Sequence, residues 1–226
     1  MVNKGLIKII KIEHGDFFSL KSIVFEQNNK TFYFWYNKSK NEEYFVIHDE
    51  YDVCLLKKDQ ILWYKSKGIK PFKAFVSNDG KVIVQCETGS QSGLVCVFDR
   101  NGKKLIRFTS DSITLGCSIT NDGKYAVIGT VVPKGSVYFY DLEQKKLKWK
   151  IDPPNYYALV GNQSLKPNCL TFSKNKILVG RTEPLWDDTK PRIEQNPPRK
   201  FFIAYLLDFE GNIIKEPFDL EKEIEL

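Results

Sequence analysis

Short runs rich in valine, isoleucine, phenylalanine and tyrosine, cut at close intervals by asparagine, aspartate and glycine, make up most of this chain. One such run ends at Val76, turns at Asn78-Asp79-Gly80-Lys81 and resumes at Val82. After a gap, residues 94–98 lead through Asp99, Asn101 and Gly102 into Leu105 and Ile106. The same order returns in 118–128, around Asn121-Asp122-Gly123-Lys124, and in 137–147, with Asp141 where Asp99 stood. Asp79 and Asp122 are 43 residues apart. Runs of this composition predict β-strands, and Asp-Gly or Asn-Gly between them predicts tight hairpins, because those residues accept positive φ at low steric cost. Each repeat therefore predicts four short antiparallel strands.

The two clear repeats, 68–110 and 111–152, are flanked by less regular ones. In 17–67, residues 23–34 align with 74–85, with Asn28-Asn29 in place of Asp-Gly, and 44–47, 52–56 and 61–64 follow as further strands. In 160–218, residues 170–180 and 202–214 repeat the two hairpins, but about fourteen extra residues fall within 181–200, a length that marks functional or disordered loops. A second enlargement, 152–167, precedes that unit. Residues 5–13 predict a single strand that completes the last unit, or a unit of another chain, and 219–226 form an acidic tail, a short helix or a docking peptide. A repeat of about 40–45 residues with four strands per unit is the signature of a β-propeller blade. The expected fold is all-β, a single domain over 1–226 built as a propeller-like array of four-stranded antiparallel blades with an N-terminal closing strand.

The units resemble β-propeller repeats of the WD40 and quinoprotein-like kinds over most of 17–216. Phe98-Asp99 and Tyr140-Asp141 stand where the WD40 pattern ends its third strand in an aromatic residue and an aspartate, with Leu207-Asp208 a partial match. Trp63 and Trp149 fall late in their units, as the tryptophan of quinoprotein-like repeats does. The chain departs from the WD40 pattern in its histidines, of which there are two, His14 and His48. Propellers of these kinds mostly have six to eight blades. Four units therefore imply either a small closed ring or part of a ring that another chain completes.

Composition narrows the function. Lys+Arg 34 against Asp+Glu 28 gives +6, spread along the chain, which argues for solubility rather than nucleic-acid binding. Lysines interrupt the apolar N-terminus, so no secretory signal is expected, and no run approaches a membrane span. The five cysteines, Cys54, Cys86, Cys96, Cys117 and Cys169, have no C-x-x-C pair and read as small core residues of a cytoplasmic protein. No nucleophile elbow, phosphate loop or zinc motif is present. Asp187-Asp188 and the acids at 49–52 lack calcium-loop spacing, so no metal or cofactor is expected.

Chemistry then points to the enlarged loops. In an antiparallel meander the loop entering the first strand and the loop joining the second to the third lie at one end of the sheet, so 152–168 and 181–200 share a face. Tyr156, Tyr157, Arg181, Trp186 and Arg192 are the candidate partner-binding residues there, being types that anchor interfaces; the competing reading has Tyr156 and Tyr157 capping the core beside a solvated loop. Lys57-Lys58, Lys103-Lys104 and Lys145-Lys146 are placed on the opposite face, where they also oppose edge-to-edge pairing. The expected role is a non-catalytic interaction or scaffold module that binds another protein or a second copy of itself. The alternatives are a small-molecule-binding or metal-dependent, lactonase-like propeller with its site at the channel mouth, and an obligate subunit of a larger ring.

Overall fold

The computed structural model describes residues 8–14, 21–27, 30–58, 60–66, 70–86, 92–130, 135–152, 176–184 and 199–218. Seventeen strands in four antiparallel sheets account for the regular structure of those residues. The second sheet holds β7 (Pro71–Val76), β8 (Val82–Cys86), β9 (Gly93–Phe98) and β10 (Lys104–Ser110). The third holds β11 (Thr114–Ile119), β12 (Tyr125–Thr130), β13 (Val137–Asp141) and β14 (Lys146–Ile151). Both are consecutive four-stranded antiparallel meanders.

Alternation explains how they stack. In β8 and β9, Val82, Val84, Cys86, Leu94, Cys96 and Phe98 pack toward the first sheet, while Ile83, Val95 and Val97 pack toward the third. A third cluster, with Val127, Val137 and Phe139, joins the third sheet to Ile177 and Leu207 of the fourth. A period of two with apolar residues in both phases is the pattern of a sheet covered on both faces.

The first sheet has six strands: β1 (Lys8–His14), β2 (Lys21–Gln27), β3 (Lys30–Lys38), β4 (Tyr44–His48), β5 (Asp52–Lys57) and β6 (Gln60–Ser66). Two expectations change here. β2 and β3 do pair as neighbours, with Gln27 opposite Lys30, Asn28 and Asn29 lying outside the described residues, but this pair is an addition, and the repeat unit is β3 to β6. Its first turn lies at 39–43, where Glu42 takes φ +59° in the role that Gly80 and Gly123 fill at +82° and +70°. The innermost strand of this unit is thus the second half of β3, not 22–26. The strand expected to close the last unit is present as β1, yet it pairs with β2 at the edge of the first sheet. A neighbour only a few residues away in sequence costs far less loop-closure entropy than a partner at the far end of the chain.

The fourth sheet is described as β15 (Lys176–Pro184), β16 (Arg199–Asp208) and β17 (Ile213–Phe218); the expected strand at 169–173 and the tail at 219–226 lie outside the described residues. All four sheets shift register at the same point of their last hairpin, between Leu55 and Leu56, Lys104 and Ile106, Phe139 and Tyr140, and Leu206 and Leu207. A shared bulge gives each outer strand the same local twist.

Candidate functional site

The two ends of the sheets differ in how they are built. At one end, the first turns of three successive units are stitched together. Asn41 donates its backbone N–H to Asn78 Oδ1 at 2.9 Å and its side-chain amide to Asn78 O at 3.3 Å, and Asn78 N–H donates to Asn121 O at 2.7 Å. Ser39, Ser77 and Thr120 each accept a backbone N–H across their own turn at 3.0 Å. The aspartate of the aromatic-Asp pattern belongs to this end too: Asp99 Oδ1 accepts from Asn101 and Lys103 N–H, and Asp208 Oδ1 from Glu210 and Asn212 N–H. Those bonds hold the exposed Asp208 carboxyl below the usual range, the Asn212 side chain and backbone contributing most. Such side-chain capping satisfies turn amides that strands cannot.

The tryptophans noted in the sequence pack on the next unit. Trp149 lies against Gly211, where an added Cβ would fall 3.1 Å from the indole, and donates Nε1–H to Phe209 O at 2.9 Å. Trp63 meets Gly102 in the same way at 3.0 Å. The exposed lysines 57, 58, 103, 104, 145 and 146 rim this end as expected. The fold is a propeller-like array of blades.

The opposite end carries the variable loops. There β15 and β16 run 9 and 10 residues, against 6 and 5 for their counterparts β12 and β13. Gly180 pairs with Ala204 as Gly129 pairs with Val137. Beyond that level the fourth-unit hairpin continues through Arg181↔Ile203 to Pro184↔Arg199. β12 itself reaches one position further, to Thr130, so at roughly 3.3 Å per residue the three positions 182–184 make the fourth-unit hairpin about 10 Å longer than its third-sheet counterpart. The inserted segment is therefore carried on an elongated hairpin. Arg181, level with Thr130, stands just before the extra length, at a register shift to Thr182. Tyr156, Tyr157, Trp186 and Arg192 lie outside the described residues. The same end exposes two aromatic side chains, Tyr51 at 64% in the turn between β4 and β5, and Phe72 at 48% on β7.

Two features here were missed in the sequence. Lys73, beside Phe72, is half-buried, and Gln85 and Thr114 near it are buried with Gln85 Oε1 and Thr114 Oγ1 lacking partners. His48, at the end of β4, is fully buried, with its ring 5.6 Å from that of Trp35. Burial lowers its pKa to about 4. Cys54 and Cys117 are free and buried, and burial pushes both thiols up to about 12. Cys86 and Cys96, also buried and free, share a hydrogen bond that raises the Cys86 thiol and lowers the Cys96 thiol. Cys169 lies outside the described residues. Among the described residues no three His, Cys, Asp or Glu side chains gather as metal ligands, and no helix is long and apolar enough to cross a membrane.

No family model matches the chain, and no curated protein matches it. Among solved structures, the chain is similar to the Cps50 (Swd1) β-propeller domain of Myceliophteria thermophila, at 9% identity and a TM-score of 0.49, over 95% of this chain and 89% of that one. It is also similar to a crystal structure of the eukaryotic initiation factor, at 10% identity and a TM-score of 0.44, over 65% of this chain. The chain covers 42% of that second structure's length.

Proposed function

We propose that this protein is a non-catalytic interaction module that receives a partner protein on its long-loop end, centred on the fourth unit. The observation that carries the reading is the lengthened β15–β16 hairpin, whose ladder continues to Pro184 opposite Arg199, beyond the length of its third-sheet counterpart. Extra length on a repeat is expensive to order unless it contacts something, and loops on a rigid scaffold are where recognition concentrates. Tyr156, Tyr157, Arg181, Trp186 and Arg192 supply the anchors, with exposed Tyr51 and Phe72 extending the same end. The stitched turn end serves stability. Free, buried cysteines suit a reducing compartment, and we place the protein in the cytoplasm on that ground.

Capture of the tagged chain from its own host, with the mass of the complex measured by light scattering and its content by mass spectrometry, tests the reading. A stoichiometric second protein should be retained by the parent chain and by Lys103→Glu/Lys104→Glu. It should be lost on Trp186→Ala/Arg192→Ala, with the melting temperature unchanged. A deletion of 185–198 that folds and keeps every partner would overturn the proposal.

A further inference from the structure

The interface between the second and third sheets contains a group of polar side chains that the packing does not use. Lys73 lies directly opposite Gln85 across the β7–β8 pair, so both side chains leave the same face, the one covered by the third sheet. Gln85 Nε2 donates to Thr114 O at 2.8 Å. A carbonyl can only accept, so this bond fixes the amide orientation and aims Oε1 elsewhere. That Oε1 and the Thr114 hydroxyl are both buried without a partner among the described residues, in side chains of residues 3% and 5% exposed. Gly93 is required beside them, since a Cβ there would stand 2.1 Å from Thr114 Oγ1.

The Lys73 ammonium has no carboxylate partner among the described residues. Its chief perturbation is burial, which lowers its pKa, and the neighbouring Cys117 thiol opposes that shift only in part. Cys117 is itself pushed up to about 12 and stays a neutral thiol. The register shift between Pro71 and Lys73 brings consecutive side chains to one side, so the ammonium lies 5.3 Å from the centre of the Phe72 ring. Phe72 is 48% exposed, which gives the group an apolar, solvent-reachable flank. A half-buried cation beside a buried acceptor and a buried hydroxyl is costly to leave incomplete, because each buried polar group without a partner costs about 1–3 kcal/mol.

We infer that Lys73, Gln85, Thr114 and Phe72 form a binding site for a small hydroxycarboxylic acid. The carboxylate pairs with the Lys73 ammonium and accepts from the Thr114 hydroxyl. The ligand hydroxyl donates to Gln85 Oε1, and its apolar part rests on Phe72. The site shares Phe72 with the proposed partner-binding end but uses none of the fourth-unit residues.

Mandelate, which carries a carboxylate, a hydroxyl and an aromatic ring, is the probe, with phenylacetate and benzyl alcohol as versions lacking the hydroxyl and the carboxylate. The full chain should bind mandelate saturably by calorimetry and gain melting temperature, while sodium chloride at equal ionic strength gives no such gain. Phenylacetate should bind several-fold more weakly and benzyl alcohol not measurably. Lys73→Met should abolish binding, and by removing an uncompensated ammonium it should raise the ligand-free melting temperature by about a few degrees. Thr114→Val should weaken binding roughly tenfold, the scale of one charge-assisted hydrogen bond. If a variant fails to fold, proton NMR of the parent chain decides, through mandelate-induced shifts at the Phe72 ring and the Thr114 methyl. Absence of saturable mandelate binding, equal binding by Lys73→Met, or shifts that spare Phe72 and Thr114 would overturn the assignment. So would binding of an acidic peptide alone, which would transfer the site to a protein partner.

Discussion

Adding one methyl group at Gly123 should destabilise this protein by about 3 kcal/mol, because two penalties meet at that position. The residue has φ +70°, and an L side chain in that region costs roughly 1–2 kcal/mol. Its Cβ would also fall 2.2 Å from Asp79 Oδ1 and 2.7 Å from Asp79 Cγ, closer than real atoms approach. The Asp79 carboxylate would have to leave, giving up its bond from Ser77 Oγ at 2.5 Å and its pairing with the Lys81 ammonium. The ion pair is substantially exposed and counts for little, but a charge-assisted hydrogen bond contributes about 1.5–3 kcal/mol. Urea unfolding followed by tryptophan fluorescence measures the loss. Asp79→Ala supplies the control: in that background Gly123→Ala should cost only the backbone part, about 1–2 kcal/mol. Additive costs in the double-mutant cycle, or a neutral Gly123→Ala, would refute the claim that the second-unit turn is seated on the third. Burial opposes ionisation of Asp79, but hydrogen bonds from Lys81 and Ser77 outweigh it and hold the carboxyl below the ordinary range. Its contribution is therefore complete above the unfolded pKa of about 4 and is lost as pH falls through the lower folded value.

His48 supplies a second pH dependence of the opposite charge type. Its folded pKa of about 4 lies below the unfolded value of about 6.5, so the neutral ring supports folding above pH 6.5. About 3 kcal/mol should be lost as pH falls toward 4. His48→Phe should flatten the pH–stability profile over that window, and an unchanged profile would contradict it. Trp149→Phe should cost about 1 kcal/mol more than Trp63→Phe in the same unfolding assay, although Trp63 is the more buried, because Trp149 Nε1 has an acceptor and buried Trp63 Nε1 has none. Removing 185–198 should leave the melting temperature nearly unchanged, as expected of a recognition loop on a rigid scaffold, and a loss of more than a few degrees would contradict that role.

Most of the blade architecture was legible because glycine marks it. Gly80, Gly102, Gly123 and Gly211 all take positive φ, and the Asp-Gly and Asn-Gly signals at three of them announced the turns. The first unit was misaligned for the complementary reason: Glu42 and Lys58 take the same conformation without a residue that betrays it. Asn28-Asn29 looked more like a turn than Asn41-Glu42 did, and the added hairpin drew the alignment toward it. Trp63 and Trp149 were visible as a pattern, but their seats on Gly102 and Gly211 exist only across a sheet boundary. Lys73, Gln85 and Thr114 were invisible as a group. Each is an isolated polar residue among mostly apolar strand positions, and only the pairing of β7 with β8, and the packing of β8 against β11, brings them together. The fourth-unit insertion was legible by length, whereas its elevation on a lengthened hairpin required the register of β15 with β16.

Hydrogen–deuterium exchange on the protein alone and on the complex captured from its host tests the interaction account most directly. Protection on binding should fall on peptides covering 49–52, 70–73, 153–175 and 181–200, at the long-loop end, while the turns at 39–43, 77–81, 99–103 and 120–124 exchange as before. Protection confined to those turns and to the lysine rim, with the projecting hairpin unchanged, would contradict it.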